Sequence, residues 1–75
     1  MLTPRIFVGD ADHPPEAGRE YPLPPTAARH VAQALRMRRG DALALFSGTG
    51  GEYAATIARI DRHGVVARVG PFDDM

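Results

Sequence analysis

The stretch DALALFSGTGGEYAATIARIDRHGVVARV, residues 41–69, decides the fold. In DALALF, Leu43 and Leu45 fall on one side, and Ala42, Ala44 and Phe46 on the other. SGTGG is a turn, and EYAATIARI is a long alternating run with Tyr53, Ala55 and Ile57 facing one way. DRHG is a second turn, and VVARV a further strand. Alternation with period two, punctuated by glycine-rich turns, predicts strand–turn–strand–turn–strand.

Upstream of this run, PTAARHVAQALRM (25–37) is the one convincing helix. Thr26 can cap it, or Pro25 can occupy its first turn. At about 100° per residue, Ala27, Ala28, Val31, Ala32 and Leu35 share one face, and Arg29, Gln33 and Arg36 the other. RRGD ends the helix, with Gly40 as a natural left-handed position. Further upstream, PRIFV predicts a short strand, with Ile6 and Val8 on one face and Arg5 and Phe7 on the other. The intervening GDADHPPEAGREYPLPP holds five of the seven prolines and four acids, so it reads as an extended loop. Tyr21 and Leu23 are its expected anchors to the core. Short strands, turn signals and one helix predict a mainly β chain, a small β-barrel with one short α-helix. Closing such a sheet removes edges that invite aggregation.

The chain has 75 residues, enough for one domain, so 1–75 is read as a single unit. A domain of this size buries only about 60% of the surface its unfolded chain exposes, so its core is small. There is no cysteine, which excludes disulfides and thiolate metal sites. No apolar run nears the roughly 20 residues that span a bilayer, and the N-terminus lacks the apolar core of a signal peptide. A cytoplasmic protein without a membrane partner is expected.

The formal net charge is zero, yet the charges are unevenly placed. Between Pro24 and Gly70 there are seven arginines and three acids, Asp41, Glu52 and Asp61, an excess of four positive charges. Arg36, Arg38 and Arg39 crowd into four positions at the end of the helix. A helix C-terminus favours cations by about 0.3–1 kcal/mol each, which accounts for one or two of them. Arg38 and Arg39 lie past the helix, with only Asp41 nearby. Contact with a phosphate backbone through Arg36, Arg38 and Arg39, joined by Arg29, is the sharper reading.

Other chemistry is poorly supported. GTGGEY lacks phosphate-loop spacing and no helix follows it, so it reads as a hairpin turn. His13, His30 and His63 have no metal-ligand spacing. His13 and His63 read as solvated, and His30 as a half-buried packing residue. Ser47 and Thr49 have no activating base. Asp10 and Asp12 are a weak candidate pair for a hard cation. Phe7, Tyr21, Phe46, Tyr53 and Phe72 read as core, with room for one exposed ring to stack on a base. No catalytic, cofactor-binding or metal-binding residues are assigned.

PRIFV, AARHVAQALRMRRGDALALFSGTGGEYAATIARI and GVVARV together resemble the N-terminal domain of the bacterial small-subunit ribosomal RNA uridine-N3 methyltransferase family. The ordered set His30, Leu35, Arg36, Gly40, Asp41, Phe46 and Gly48 carries the resemblance, which spans nearly the whole chain apart from the proline-rich loop. It implies a PUA-like β-barrel that binds RNA. It also implies that the full-length enzyme adds a knotted SPOUT-class domain, absent from these 75 residues, that binds S-adenosylmethionine and forms a homodimer. That enzyme would methylate N3 of a uridine in 16S ribosomal RNA of the small subunit, and this segment alone is expected to be inactive. Arg5 matches the arginine of the opening strand and Arg36 the Leu-Arg position after the helix, both implied RNA contacts. Arg38 and Arg39 rest on charge and position. His30 matches the helix histidine, and Gly40 and Asp41 the turn. The competing reading is a non-catalytic β-barrel that binds protein or tethers domains, since fold alone does not give function.

Overall fold

A computed structural model of the chain describes residues 3–9 and 11–74. The elements are β1 (Arg5–Phe7), β2 (Glu20–Pro22), α1 (Pro25–Arg29) continued by a π-helical turn (His30–Ala34), β3 (Ala42–Phe46), β4 (Glu52–Asp61) and β5 (Gly64–Asp73). They form one five-stranded sheet in the order β1-β3-β4-β5-β2. Only the β1–β3 pair is parallel. The chain is mainly β with one short helix, as the alternation predicted.

The sheet does not close into the expected barrel. β1 and β2 are its two edges and do not pair with each other. Each is three residues long, too short to extend a ladder around the helix. The helix fills the space instead, with Ala27 and Val31 in the same core cluster as Ile6, Leu45 and Val69.

Strand alternation sets that core. Leu43, Leu45 and Ile57 are almost completely buried, and Ile6 and Val8 point inward from β1 as their spacing requires. No polar or charged side chain is buried among the described residues, so the core rests on apolar burial alone. The β4–β5 ladder slips between Tyr53 and Ala55 and between Ile57 and Arg59. Such bulges bend a strand and increase its twist. The first slip lies opposite Gly70 and Pro71, where Pro71 has no N–H to give to a ladder.

β2 lies within the segment read as loop. Pro22 is tolerated there because β2 is an edge strand. Its Tyr21 and the following Leu23 are buried, as their anchoring role required, and the Leu23 N–H bonds to the Val65 carbonyl at 2.9 Å.

Of the two candidate helix starts, Pro25 prevails. Pro24 is extended, the conformation a residue before proline favours, and no side chain caps the helix. Pro25 at the first turn gives up only an N–H that has no helical partner in any case. After Arg29 the helix widens. The Leu35 N–H reaches the His30 carbonyl at 3.0 Å, five residues back, and the Met37 N–H the Val31 carbonyl at 3.1 Å. A π turn advances fewer degrees per residue, so the apolar stripe drifts off the core. Ala27 and Val31 remain buried, whereas Ala32 and Leu35 face solvent. Gly40 is left-handed as expected, with φ 90°, but the helix already ends at Arg36, which is itself left-handed with φ 51°. Buried Met37 follows as the hydrophobic anchor beyond the helix end.

Candidate nucleic-acid interface

The helix end leads into a braced turn. The Asp41 carboxylate accepts the backbone N–H of Arg38 at 2.8 Å, and the Asp41 N–H donates to the Arg38 carbonyl at 3.0 Å. Gly40, with φ 90°, donates its N–H to the Ile57 carbonyl at 2.8 Å, and the Ile57 N–H returns to the Asp41 carbonyl at 2.9 Å. Residues 38–41 are thus sewn to the middle of β4, while the side chains of Arg38 and Arg39 stand in solvent.

The acids of the middle region are occupied elsewhere. Asp41 serves the turn backbone. Glu52 pairs with Arg5 at 2.8 Å. Asp61 lies 3.6 Å from Arg59 and accepts the backbone N–H of His63 at 2.8 Å. Among the described residues no acidic side chain reaches Arg29, Arg36, Arg38 or Arg39. These four exposed guanidinium groups come from one continuous segment, residues 29–39.

Arg29 lines a groove of about 560 Å³ between the helix and the β4–β5 turn, shared with Gln33, Met37, Arg62 and His63. Sequence reading took His63 as solvated and gave Arg62 no role. Their approach to Arg29 depends on the long β4–β5 hairpin folding back over the helix, which no local pattern reports.

Arg5 stands apart from these four. It lines a cleft of about 280 Å³ with Phe7, Thr26, His30 and Phe46, between the helix and the β1–β3 edge. Its guanidinium carbon lies 4.5 Å from the Phe46 ring centroid, and its Nε holds Glu52.

Several side chains differ from expectation. His30 is exposed in that cleft rather than half-buried. His13 is exposed as expected, and its ring also packs edge-on against Tyr21 at 5.7 Å. Among the five aromatic residues only Tyr21 is buried. Phe7 meets Phe46 at 5.5 Å, and Phe72 meets Tyr53 at 4.8 Å, where Tyr53 is partly buried against the core. Rings pair there because the alternation that buries Ile6 and Leu45 turns Phe7 and Phe46 outward. The glycine-rich segment joins β3 to β4 as a hairpin turn, with Gly48, Gly50 and Gly51 all at positive φ. Ser47 and Thr49 bond to each other at 3.1 Å. Asp10, half of the candidate cation pair, lies outside the described residues, among which no three His, Cys, Asp or Glu side chains gather to hold a metal.

An open sheet with one helix and an unpaired arginine turn places the chain in the class of PUA-type modules, since residues 23–70 match the profile of the RNA methyltransferase PUA domain. The chain belongs to that family. The match includes Arg29, Arg36, Arg38 and Arg39 and leaves out Arg5.

Solved structures agree. A Legionella pneumophila protein classed as a methyltransferase, solved with bound S-adenosylmethionine, is 31% identical and superposes with a TM-score of 0.90 over 100% of this chain and 30% of its own. Ribosomal RNA small subunit methyltransferase E from Neisseria gonorrhoeae, bound to S-adenosylmethionine, is 25% identical with a TM-score of 0.83, over 99% and 30%. A Porphyromonas gingivalis protein classed as an rRNA methyltransferase is 28% identical with a TM-score of 0.74, over 96% and 28%. The chain therefore spans about 30% of the length of the proteins it matches.

Proposed function

We propose that residues 1–75 form the RNA-binding domain of an S-adenosylmethionine-dependent methyltransferase that modifies N3 of a uridine in 16S ribosomal RNA. The observation that carries this reading is the run of four exposed arginines, 29, 36, 38 and 39, without an acidic partner among the described residues. A turn braced to β4 fixes the backbone that carries Arg38 and Arg39, so little backbone freedom remains to be lost there on meeting a polyanion. Guanidinium forks match phosphate geometry and keep their charge at any physiological pH.

On this reading the domain orients ribosomal RNA, or the small ribosomal subunit, and does no chemistry itself. Phosphate contacts fix register, and discrimination comes from RNA shape and unpaired bases. Methyl transfer belongs to a second domain of the full-length protein, which would bind S-adenosylmethionine and form a homodimer. Proteins similar to this chain carry that cofactor. The enzyme would act in the cytoplasm. A target uridine must leave its stack before N3 is reachable, and a rigid domain gripping the flanking strand serves that step.

The test is an RNA titration at two salt concentrations with the chain and its Arg36→Ala/Arg38→Ala/Arg39→Ala variant. Each phosphate contact removed should lower the salt slope by about 0.7–0.9 and weaken binding across RNA sequences alike. An unchanged slope and affinity would remove the RNA reading and leave a protein-binding or tethering module.

A further inference from the structure

The cleft around Arg5 plays no part in the phosphate contacts just described. Its floor is the Phe46 ring with the Arg5 guanidinium laid over it at 4.5 Å. The Glu52 carboxylate holds the Arg5 Nε at 2.8 Å, which fixes the plane of the fork and leaves its other N–H groups available. Phe7 forms one side, edge-on to Phe46 at 5.5 Å and 49% exposed. His30 and Thr26 form the other side from the helix, both exposed. At about 280 Å³ the cleft lies below the roughly 300–1,000 Å³ of pockets for drug-sized molecules, so one planar group suits it better than a whole cofactor.

Phe7 is one of three large apolar side chains, with Leu35 and Phe72, left exposed among the described residues, and it is the one that lines this cleft. A phenyl face, an imidazole and a tethered guanidinium are the groups on which unpaired bases stack, and the fork adds donors for a base edge. His30 directly follows Arg29, so the cleft and the Arg29–Arg62 groove flank the same helix. We infer that the cleft between β1, β3 and the helix, walled by Phe7, Phe46 and His30, is a stacking site for one unpaired base of single-stranded RNA. The inference rests on the RNA-binding reading and gives that surface a preference for unpaired strands that phosphate contacts cannot supply.

The chain has no tryptophan, which permits a direct readout. In a Phe7→Trp variant, single-stranded oligoadenylate at low salt should quench the introduced indole emission, and duplex RNA should not. Phe7→Leu keeps an apolar side chain but removes the ring. It should weaken oligoadenylate binding roughly fivefold or more while leaving the salt slope unchanged, because no phosphate contact is lost. His30→Ala should act in the same direction. If Phe7→Leu binds as tightly as the parent chain while the triple arginine variant does not, the stacking site falls and the phosphate surface stands. Quenching by duplex as strong as by single strand also overturns it. If neither RNA binds the parent chain at low salt, both readings fall together.

Discussion

The Asp41 carboxylate sits 2.8 Å from the backbone nitrogen of Arg38, and the Arg38 guanidinium has no acidic neighbour among the described residues. Two residues of opposite charge, three apart, are thus joined through main chain instead of side chain. The acid builds the turn and leaves the cation unspent. Asp41→Ala should therefore destabilise the domain by about 1 kcal/mol, a hydrogen-bond-sized loss, lowering Tm by roughly 4–8 °C. Arg38→Ala should change stability by less than about 0.5 kcal/mol, as an exposed side chain without a partner would. Thermal unfolding followed by circular dichroism checks both. Equal losses from the two would mean that they act as an ion pair.

Arg36 holds a left-handed conformation, φ 51°, at the end of the helix. For an L-residue with a Cβ that costs roughly 1–2 kcal/mol, partly offset because glycine is freer in the unfolded chain. Arg36→Gly should raise stability by up to about 1 kcal/mol in denaturant melts while weakening RNA binding. A variant that is both less stable and unaltered in binding would contradict this placement.

Glu52 and Arg5 form an ion pair in which the arginine is largely exposed. Such pairs contribute about 0–1 kcal/mol, so Glu52→Ala should barely move the denaturation midpoint. Where the Arg5 cleft meets RNA, losing this carboxylate should raise non-specific affinity at low salt and lower the preference for single strands. The first change follows from charge, the second from a guanidinium no longer held flat. Competition between single-stranded and duplex RNA measures both.

Two glycines offer a matched comparison. Gly18 has φ +84° with nothing within 4 Å of where a Cβ would stand. Gly51 has φ +74°, but a Cβ there would meet the Phe72 ring and come within 2.8 Å of the Asp73 carbonyl oxygen. Gly18→Ala should cost only backbone strain, about 1–2 kcal/mol. Gly51→Ala should cost about 1–3 kcal/mol more, because the hairpin turn and the end of β5 must part. Urea melts of the two variants test the difference.

The parts of the fold that sequence made legible are those governed by short-range periodicity. Ile6 and Val8, Leu43 and Leu45, and Ala55 and Ile57 all point inward as their spacing required. β2 was hidden because Pro22, Pro24 and Pro25 mask its pairing signal, and only its long-range partner β5 makes it a strand. The widening of the helix after Arg29 has no local mark in HVAQA. It follows from Met37 reaching the core, which shifts the exposed positions of Ala32 and Leu35. The arginine cluster was visible in the sequence, but its freedom from acids was not. That depended on Glu52 finding Arg5 across 47 residues. Phe7 and Phe72 were misread as core because the buried cluster takes one ring, Tyr21, with Tyr53 packed partly buried against it, and a domain of this size has a small core.

A π turn is an α turn carrying one surplus residue, and here that surplus lies between the first helical turn and Met37. Wound as a regular α-helix, the same His30–Ala34 segment would turn its surplus residue into a swing of about 100° in everything downstream. Met37 would leave its socket, or the arginines would face a different quarter of the surface. The helix thus works as a gauge, and its count of residues, as much as their identity, sets where the positive charge is delivered.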